Sequence, residues 1–256
     1  DILFLLSLSP KVLMVTNKWV WSSPFFGTLI RYAGYFHVHD GYEHNLEAIK
    51  QKIDEGYSII IFPEGTRSED LKIKRFHSGA FYLASKLKID IIPVVLYGSG
   101  MVVSKKQPFY VKKGWVVIKF LPIIQSEAIP SLYYRETSKK VRRYFIEEYD
   151  KLYKQYNTPS NPYFYSALVK NYLYKGPIEE WYIRIKVKME RTYLVFNDMI
   201  PSKAHVTDIG CGYGMLSFAL TLFSDKRTVY GIDYDMDKIE VANHSYLRNK
   251  RTVFQC

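Results

Sequence analysis

Two stretches of this chain hold residue types whose spacing suits chemistry. The first is Phe62-Pro63-Glu64-Gly65-Thr66-Arg67-Ser68. It follows Ser58-Ile59-Ile60-Ile61, a β-branched run that reads as a buried strand. Proline lacks an N–H and glycine permits a sharp turn, so the strand stops at Pro63 and Gly65. Glutamate, threonine and arginine are then left together at the carboxyl end of a strand, the edge where open α/β sheets bind ligands. An arginine there can hold an anion by two parallel N–H bonds. On pattern alone, an ordinary strand exit with a surface Glu–Arg pair has equal weight. The second stretch is Asp208-Ile209-Gly210-Cys211-Gly212-Tyr213-Gly214, with Asp233 ending the next strand. Its glycines let the backbone turn tightly and approach a cofactor, and the strand-end acid can accept hydrogen bonds from ribose hydroxyls.

Strands and helices must place these residues. Strands are expected at Lys11–Thr16, Tyr35–His39, Ser58–Phe62, Ile91–Leu96 and Trp115–Leu121. Pro93 marks a sheet edge or a bulge in the fourth of them. A helix capped by Asn45 has Leu46, Ile49 and Ile53 on one face, and another runs from about Ser78 to Leu87. Glu136–Tyr156 reads as an amphipathic basic helix. Asn157-Thr158-Pro159-Ser160-Asn161-Pro162 is the clearest break in the chain. Helices are expected at Ser166–Leu173 and Ile178–Met199. His205–Ile209, Val229–Asp233 and Thr252–Cys256 then read as strands, alternating with helices at Met215–Leu222 and Asp237–Leu247. That alternation means βαβ units on a parallel sheet. The fold class is α/β: residues 1–156 form a mixed sheet flanked by helices, residues 157–200 a helical linker, and residues 201–256 the start of a Rossmann-like domain.

Composition narrows the partners. The net charge is +11, with 23 basic and 15 acidic residues up to Lys154 and 13 and 10 beyond it. The excess therefore lies mainly in the first part. A basic surface suits anionic lipid, a phosphorylated substrate or an acidic carrier protein. Nucleic acid ranks last, because no nucleic-acid-binding motif accompanies the charge. The 23 tyrosines suit an interface or a membrane surface, and equally an AT-rich genome. Cys211 and Cys256 make no disulfide framework, which fits a reducing cytoplasm. No apolar run approaches the ~18–20 residues that span a bilayer. The chain lacks an initial methionine and stops at Cys256 within an expected strand, so it reads as an internal fragment of a longer protein.

With its surroundings, Phe62–Ser68 resembles the third sequence block of the glycerolipid acyltransferases, the family of 1-acylglycerol-3-phosphate acyltransferase. The resemblance covers residues 1 to about 125. Ile91–Leu96 with its central Pro93 is similar to the fourth block, and Lys72–Phe81, with Phe76, Gly79 and Ala80, to the segment between them. The resemblance implies that Asp1 is the aspartate of a His-x-x-x-x-Asp block whose histidine lies five positions upstream, outside this sequence. Pro10-Lys11, Lys18 and Pro24-Phe25-Phe26-Gly27 follow as in the family. In that chemistry the histidine takes the proton of an acceptor hydroxyl as it attacks a thioester, and the aspartate fixes the ring. By the same resemblance Arg67 binds the anionic acceptor and Glu64 positions Arg67 or the acceptor. Gly65 lets the backbone approach, and Pro63, Thr66 and Pro93 line the acceptor side. The second block usually ends in an arginine; here Gly34-Tyr35-Phe36-His37-Val38-His39-Asp40 has none, which leaves a phosphate-bearing acceptor open to doubt. His37, His39 and His77 suit surface or packing roles better than a metal site, and no metal is expected.

The second stretch resembles the class I S-adenosylmethionine-dependent methyltransferases over residues 200–256. An NAD-binding domain uses similar pieces. Asp208 before the first glycine and the spacing of Gly210, Gly212 and Gly214 favour the methyltransferase, with Asp233 as the ribose acid. An acyltransferase ahead of a methyltransferase is similar to bacterial fusion proteins in which an MMPL-type lipid exporter precedes both. That likeness implies an upstream membrane transporter and a place on the cytoplasmic face of the bacterial inner membrane. The expected enzyme moves an acyl group from acyl-coenzyme A or acyl-carrier protein to a lipid hydroxyl at an anionic membrane surface. A methyltransferase that uses S-adenosylmethionine follows it. Without the histidine, this stretch by itself would be inactive. The competing expectation is a catalytically inactive module that tethers to membranes.

Overall fold

The computed structural model describes residues 5, 7, 9–16, 35–37, 45–68, 71–105, 111–129, 133–158, 160–190 and 192–256. Asp1, Lys18, Phe25, Phe26, Gly27, Gly34, His39 and the side chain of His37 lie outside this set. The chain divides into two units, one of residues 1–110 and 116–151 and one of residues 111–115 and 152–256.

In the first unit, β1 (Val12–Thr16) pairs in parallel with β2 (Phe36–His37) on one side and β3 (Ser58–Ile60) on the other. Leu13 and Met14 are both buried, as a parallel strand covered on two faces requires. The crossover to β3 runs through α1 (Leu46–Asp54), which buries Ile49 completely. Asn45 occupies the cap position, but its side chain makes no capping bond. Gly56, at φ 85°, turns the chain into β3.

After β3 come α2 (Gly79–Leu87), β4 (Val94–Tyr97), the short α3 (Ser99–Val102), β5 (Val117–Phe120) and α4 (Tyr134–Tyr156). β4 and β5 form a separate antiparallel pair, so parallel and antiparallel pairing occupy two small sheets among the described residues. Ile91 bridges Ile124, while Val94 faces Phe120. Ile92 and Pro93 thus oppose Leu121, Pro122 and Ile123: of the sheet edge or bulge expected at Pro93, a bulge forms, with its extra residue on the facing segment. Pro93 is buried and its carbonyl accepts from Leu121 N at 2.9 Å. The core of this unit gathers Phe76, Phe81, Ala84, Ile129 and Val141. Lys119 on β5 and Lys151 both donate to the buried Glu148 carboxylate, at 2.5 and 2.6 Å. Lys119 first, and then Lys151, holds that carboxyl below its usual range.

The second unit has a parallel sheet in the order β6 (His205–Ile209), β7 (Thr228–Ile232), β8 (Thr252–Gln255). The helices described between residues 162 and 199 belong to this unit. α5 (Pro162–Lys170) starts at Asn161, whose carboxamide oxygen accepts from Tyr163 N at 3.1 Å. Phe164, Leu168 and Val169 bury its inner face. α6 (Pro177–Met189) buries Ile183 and Val187, and α7 (Thr192–Met199) follows. The expected single helix over Ile178–Met199 is therefore interrupted, with Glu190 in extended conformation. Tyr172 OH donates to Tyr213 O at 2.9 Å, and Asn171 Oδ1 accepts from Leu247 N at 2.7 Å. The two crossovers are α8 (Met215–Phe223) and α9 (Met236–His244). α8 is apolar nearly all round because the sheet covers one side and α5 another.

Candidate functional site

The first site is the turn after β3. Gly65 N donates to Phe62 O at 3.0 Å, and His77 N donates to Pro63 O at 2.7 Å. Glu64 Oε2 accepts from Lys74 N at 2.8 Å. The motif is thereby fastened to the segment that leads into α2. Gly65 has φ 63°, and a Cβ there would lie 3.2 Å from His77 Cδ2. A side chain would be strained by the backbone and crowded by the imidazole. Arg142 on α4 completes the fastening, donating to Lys74 O at 2.6 Å and Ile73 O at 3.1 Å. Thr66 and Arg67 are exposed at the tip. The structure thus gives Glu64 a backbone partner and a positioning role in the loop, with Arg67 presented to solvent. Asp1 lies outside the described residues, and Pro93 sits within its bulged sheet.

Lys74, His77 and Arg142 were not singled out for this loop by sequence. The first two carry a weak signal, since they lie in the segment similar to the family. Arg142 carries none, because a basic residue on a basic helix looks like solvated surface.

The second site lies at the carboxyl ends of β6 and β7, where Asp208, Gly210, Gly212, Gly214 and Asp233 come together. Gly210 N and Cys211 N both donate to Ile232 O, at 2.8 and 3.1 Å. All three glycines have positive φ. A Cβ on Gly210 would meet nothing within 4 Å, so its backbone is open to a cofactor. Asp233 is only 7% exposed. Its Oδ2 accepts from Gly212 N at 2.7 Å and its Oδ1 from Asp235 N at 3.0 Å. These two N–H groups, Asp235 first, hold its carboxyl below the ordinary range. Asp233 therefore clamps the glycine loop, and its remaining lone pairs are what a ribose would use. Cys211 is buried against the sheet, and burial pushes its thiol up to about 12. It stays protonated and fills space.

Asp208 Oδ2 accepts from Ser217 Oγ at 2.6 Å. Burial raises the Asp208 carboxyl, the Ser217 hydrogen bond opposes the rise, and the charge of Asp233 adds to it. A carboxyl raised in the fold favours its protonated form there. Its contribution to stability is present below the unfolded pKa and is lost as pH rises through the folded value. Asp233 behaves oppositely, losing its contribution as pH falls through its folded value. Ser217→Ala removes the opposing bond, so Asp208 should titrate at higher pH, as read from its side-chain carboxyl carbon by NMR. A midpoint that stays put or falls would refute the assigned partner. Ser217 was missed in the sequence, where its signal was a single polar residue in an otherwise apolar helix start.

A cavity of about 150 Å³ adjoins this loop, lined by Asp208, Gly210, Cys211 and Met215 and by residues of the preceding helices. It is smaller than the ~300–1,000 Å³ of whole-ligand sites, and so suits one end of a cofactor. An open glycine backbone beside a carboxylate suits the cationic methionine end of S-adenosylmethionine. Among the described residues, no cluster of three or more potential metal ligands occurs, and no helix is long and apolar enough to cross a membrane.

Comparison with known proteins finds similarity around both stretches. Residues 1–97 match the family model described as Acyltransferase, and residues 191–255 match the one described as Methyltransferase small domain. An acyltransferase-like segment is therefore followed by one similar to the methyltransferase small domain. The 1-acyl-sn-glycerol-3-phosphate acyltransferase of Helicobacter pylori is 26% identical over 158 residues, covering 59% of this chain and 66% of that protein. The enzyme of the same name from Saccharomyces cerevisiae is 34% identical over 92 residues, 35% of this chain and 30% of its own. One from Chlamydomonas reinhardtii is 34% identical over 73 residues, 28% and 22%. The chain thus spans between 22% and 66% of the length of these relatives. The crystal structure of the 1-acyl-sn-glycerophosphate acyltransferase from Thermotoga maritima aligns with a TM-score of 0.47 at 22% identity, covering 58% of this chain and 61% of that one.

Proposed function

We propose that the protein transfers an acyl group from a thioester donor, acyl-coenzyme A or acyl-carrier protein, to a hydroxyl of a lysophospholipid-like or other lipid acceptor. The observation that carries this reading is the Phe62–Ser68 loop, fastened by Glu64 and by His77 N so that Arg67 stands exposed beyond β3. In the reaction the acceptor oxygen bonds to the acyl carbon, the carbon–sulfur bond breaks, and the thiol leaves with the proton. The base is the histidine expected upstream of Asp1. Arg67 holds the anionic part of the acceptor. A charge-assisted hydrogen-bonded contact is worth about 1.5–3 kcal/mol, so Arg67→Ala should lower kcat/KM by about 10- to 100-fold. The assay uses the intact protein with lysophosphatidic acid. Undiminished transfer in the variant would remove Arg67 from the site. No transfer by the unaltered protein would favour the second reading, an inactive membrane tether, which the missing arginine in residues 34–40 supports.

The second unit is read as binding S-adenosylmethionine through Asp208, Gly210, Gly212, Gly214 and Asp233. The same proposal puts the protein at an anionic membrane surface, on the cytoplasmic face of the bacterial inner membrane, covalently downstream of an exporter. One feature supports the surface. Ile178, Trp181, Tyr182 and Met189 are exposed on α6, beside Arg184 and Lys188. Aromatic and basic residues together suit a lipid headgroup region. Trp181→Asp should weaken sedimentation with phosphatidylglycerol vesicles; equal sedimentation would exclude this helix from the contact.

A further inference from the structure

The family match to the methyltransferase begins at residue 191, yet part of the cavity wall beside the glycine loop comes from before it. Lys186 and Glu190, at the end of α6, line the cavity together with Asp208 and Gly210. Lys186 Nζ and Glu190 Oε2 lie 3.8 Å apart, at the long limit of an ion pair, and both side chains are partly exposed. Such a pair is weakly held and easily exchanges partners. The cavity therefore presents one cation and two carboxylates around an open stretch of backbone.

We infer that Lys186 and Glu190 are specificity residues that receive the amino-acid end of S-adenosylmethionine, the Lys186 ammonium pairing with its carboxylate and Glu190 with its ammonium group. This inference rests on the cofactor reading of the preceding subsection and adds to it residues outside the matched domain. Its physical basis is charge matching. The cofactor carries one negative and two positive charges, the ammonium and the sulfonium. Lys186, Glu190 and Asp208 supply the complementary set, one positive and two negative. A purely adenosine-directed site would have no use for a lysine and a glutamate at this end.

The test is calorimetry on the whole 256-residue chain with two ligands, S-adenosylmethionine and 5′-methylthioadenosine, which lacks the amino-acid end. Lys186→Met and Glu190→Gln should each weaken S-adenosylmethionine by about tenfold, the scale of one lost charge-assisted contact. Both variants should leave 5′-methylthioadenosine within twofold of the unaltered chain. Lys186→Arg should restore most of the loss for S-adenosylmethionine. Equal losses for both ligands would mean that the pair merely shapes the fold, and would overturn the inference. Unchanged affinity for both ligands would overturn it as well, while leaving the cofactor reading intact. Binding of neither ligand to the unaltered chain would overturn the cofactor reading itself and this inference with it.

Discussion

Arg227→Met should destabilise the second unit by about 3 kcal/mol, the scale of breaking a buried, fully bonded charge. Arg227 is 3% exposed. Its Nε donates to Pro201 O at 3.0 Å, and its Nη2 donates to Asn197 O at 3.0 Å and Ile200 O at 2.5 Å. Nη1 donates to Asn197 Oδ1 at 2.7 Å. These acceptors cluster where α7 ends, so the guanidinium satisfies carbonyls that a helix leaves without partners and complements its negative end. Methionine keeps much of the volume and supplies no donor, so the acceptors would be stranded. A loss of this size corresponds to a fall of about 1–3 M in the urea midpoint, given usual slopes. The transition should be followed by hydrogen exchange of amides in α7 and the sheet, because a chain of two units need not unfold in one step. Arg227→Lys should recover less than half, since one ammonium cannot reach the same fan of acceptors. An unchanged midpoint for Arg227→Met would show that these bonds contribute nothing net.

A comparable loss is expected from one added methyl group at Gly231. A Cβ there would lie 2.5 Å from Phe254 Cδ1 and 2.9 Å from Cys211 Sγ. An aromatic ring can often swing aside, but this one is held from the other direction. A Cβ on Gly214 would also lie 2.8 Å from the Phe254 ring, and Phe218 packs on it at 5.2 Å between centroids. The two glycines thus form a socket for a single ring. Overpacking of this kind costs about 1–3 kcal/mol, and the upper end applies where neighbours cannot move. Gly231→Ala should therefore lower the midpoint of the second unit and displace the Cys211 loop, so cofactor binding should weaken with stability. Adding Phe254→Leu should restore part of the stability by vacating the space. A double variant no more stable than Gly231→Ala would place the strain elsewhere.

Much of the second unit was legible in advance, and for a clear reason. Val206, Val229 and Phe254 sit on short apolar strands between glycine turns, and β6 falls at His205–Ile209 as expected. The acids and glycines of the site sit at strand ends, where local sequence dictates backbone shape. What stayed hidden depends on distant partners. Nothing between Met189 and Thr192 forbids a helix locally, since neither glycine nor proline occurs there. In the fold Tyr193 OH donates to Val187 O at 3.0 Å, across the interruption between α6 and α7. Residues 157–200 looked like a connector because of Pro159 and Pro162. Yet Asn157 Nδ2 donates to Phe223 O at 2.7 Å, and Asn161 and Asn171 are buried. Polar residues that signal a loop by composition here make the bonds that seat helices on a sheet. In the first unit, the exit after β3 was legible from Pro63 and Gly65, whereas the hold of Arg142 on it was not.

That hold has a consequence for how the gene can be cut. The match to the acyltransferase family model covers residues 1–97, but the loop presenting Arg67 is braced by a side chain 45 positions further on, in a helix whose Val141 belongs to the same core as Phe76 and Phe81. A piece trimmed to residues 1–97 would keep every motif residue and lose the brace behind them. The inheritable module therefore extends through residue 151, and swapping it between proteins requires moving α4 along with the motifs.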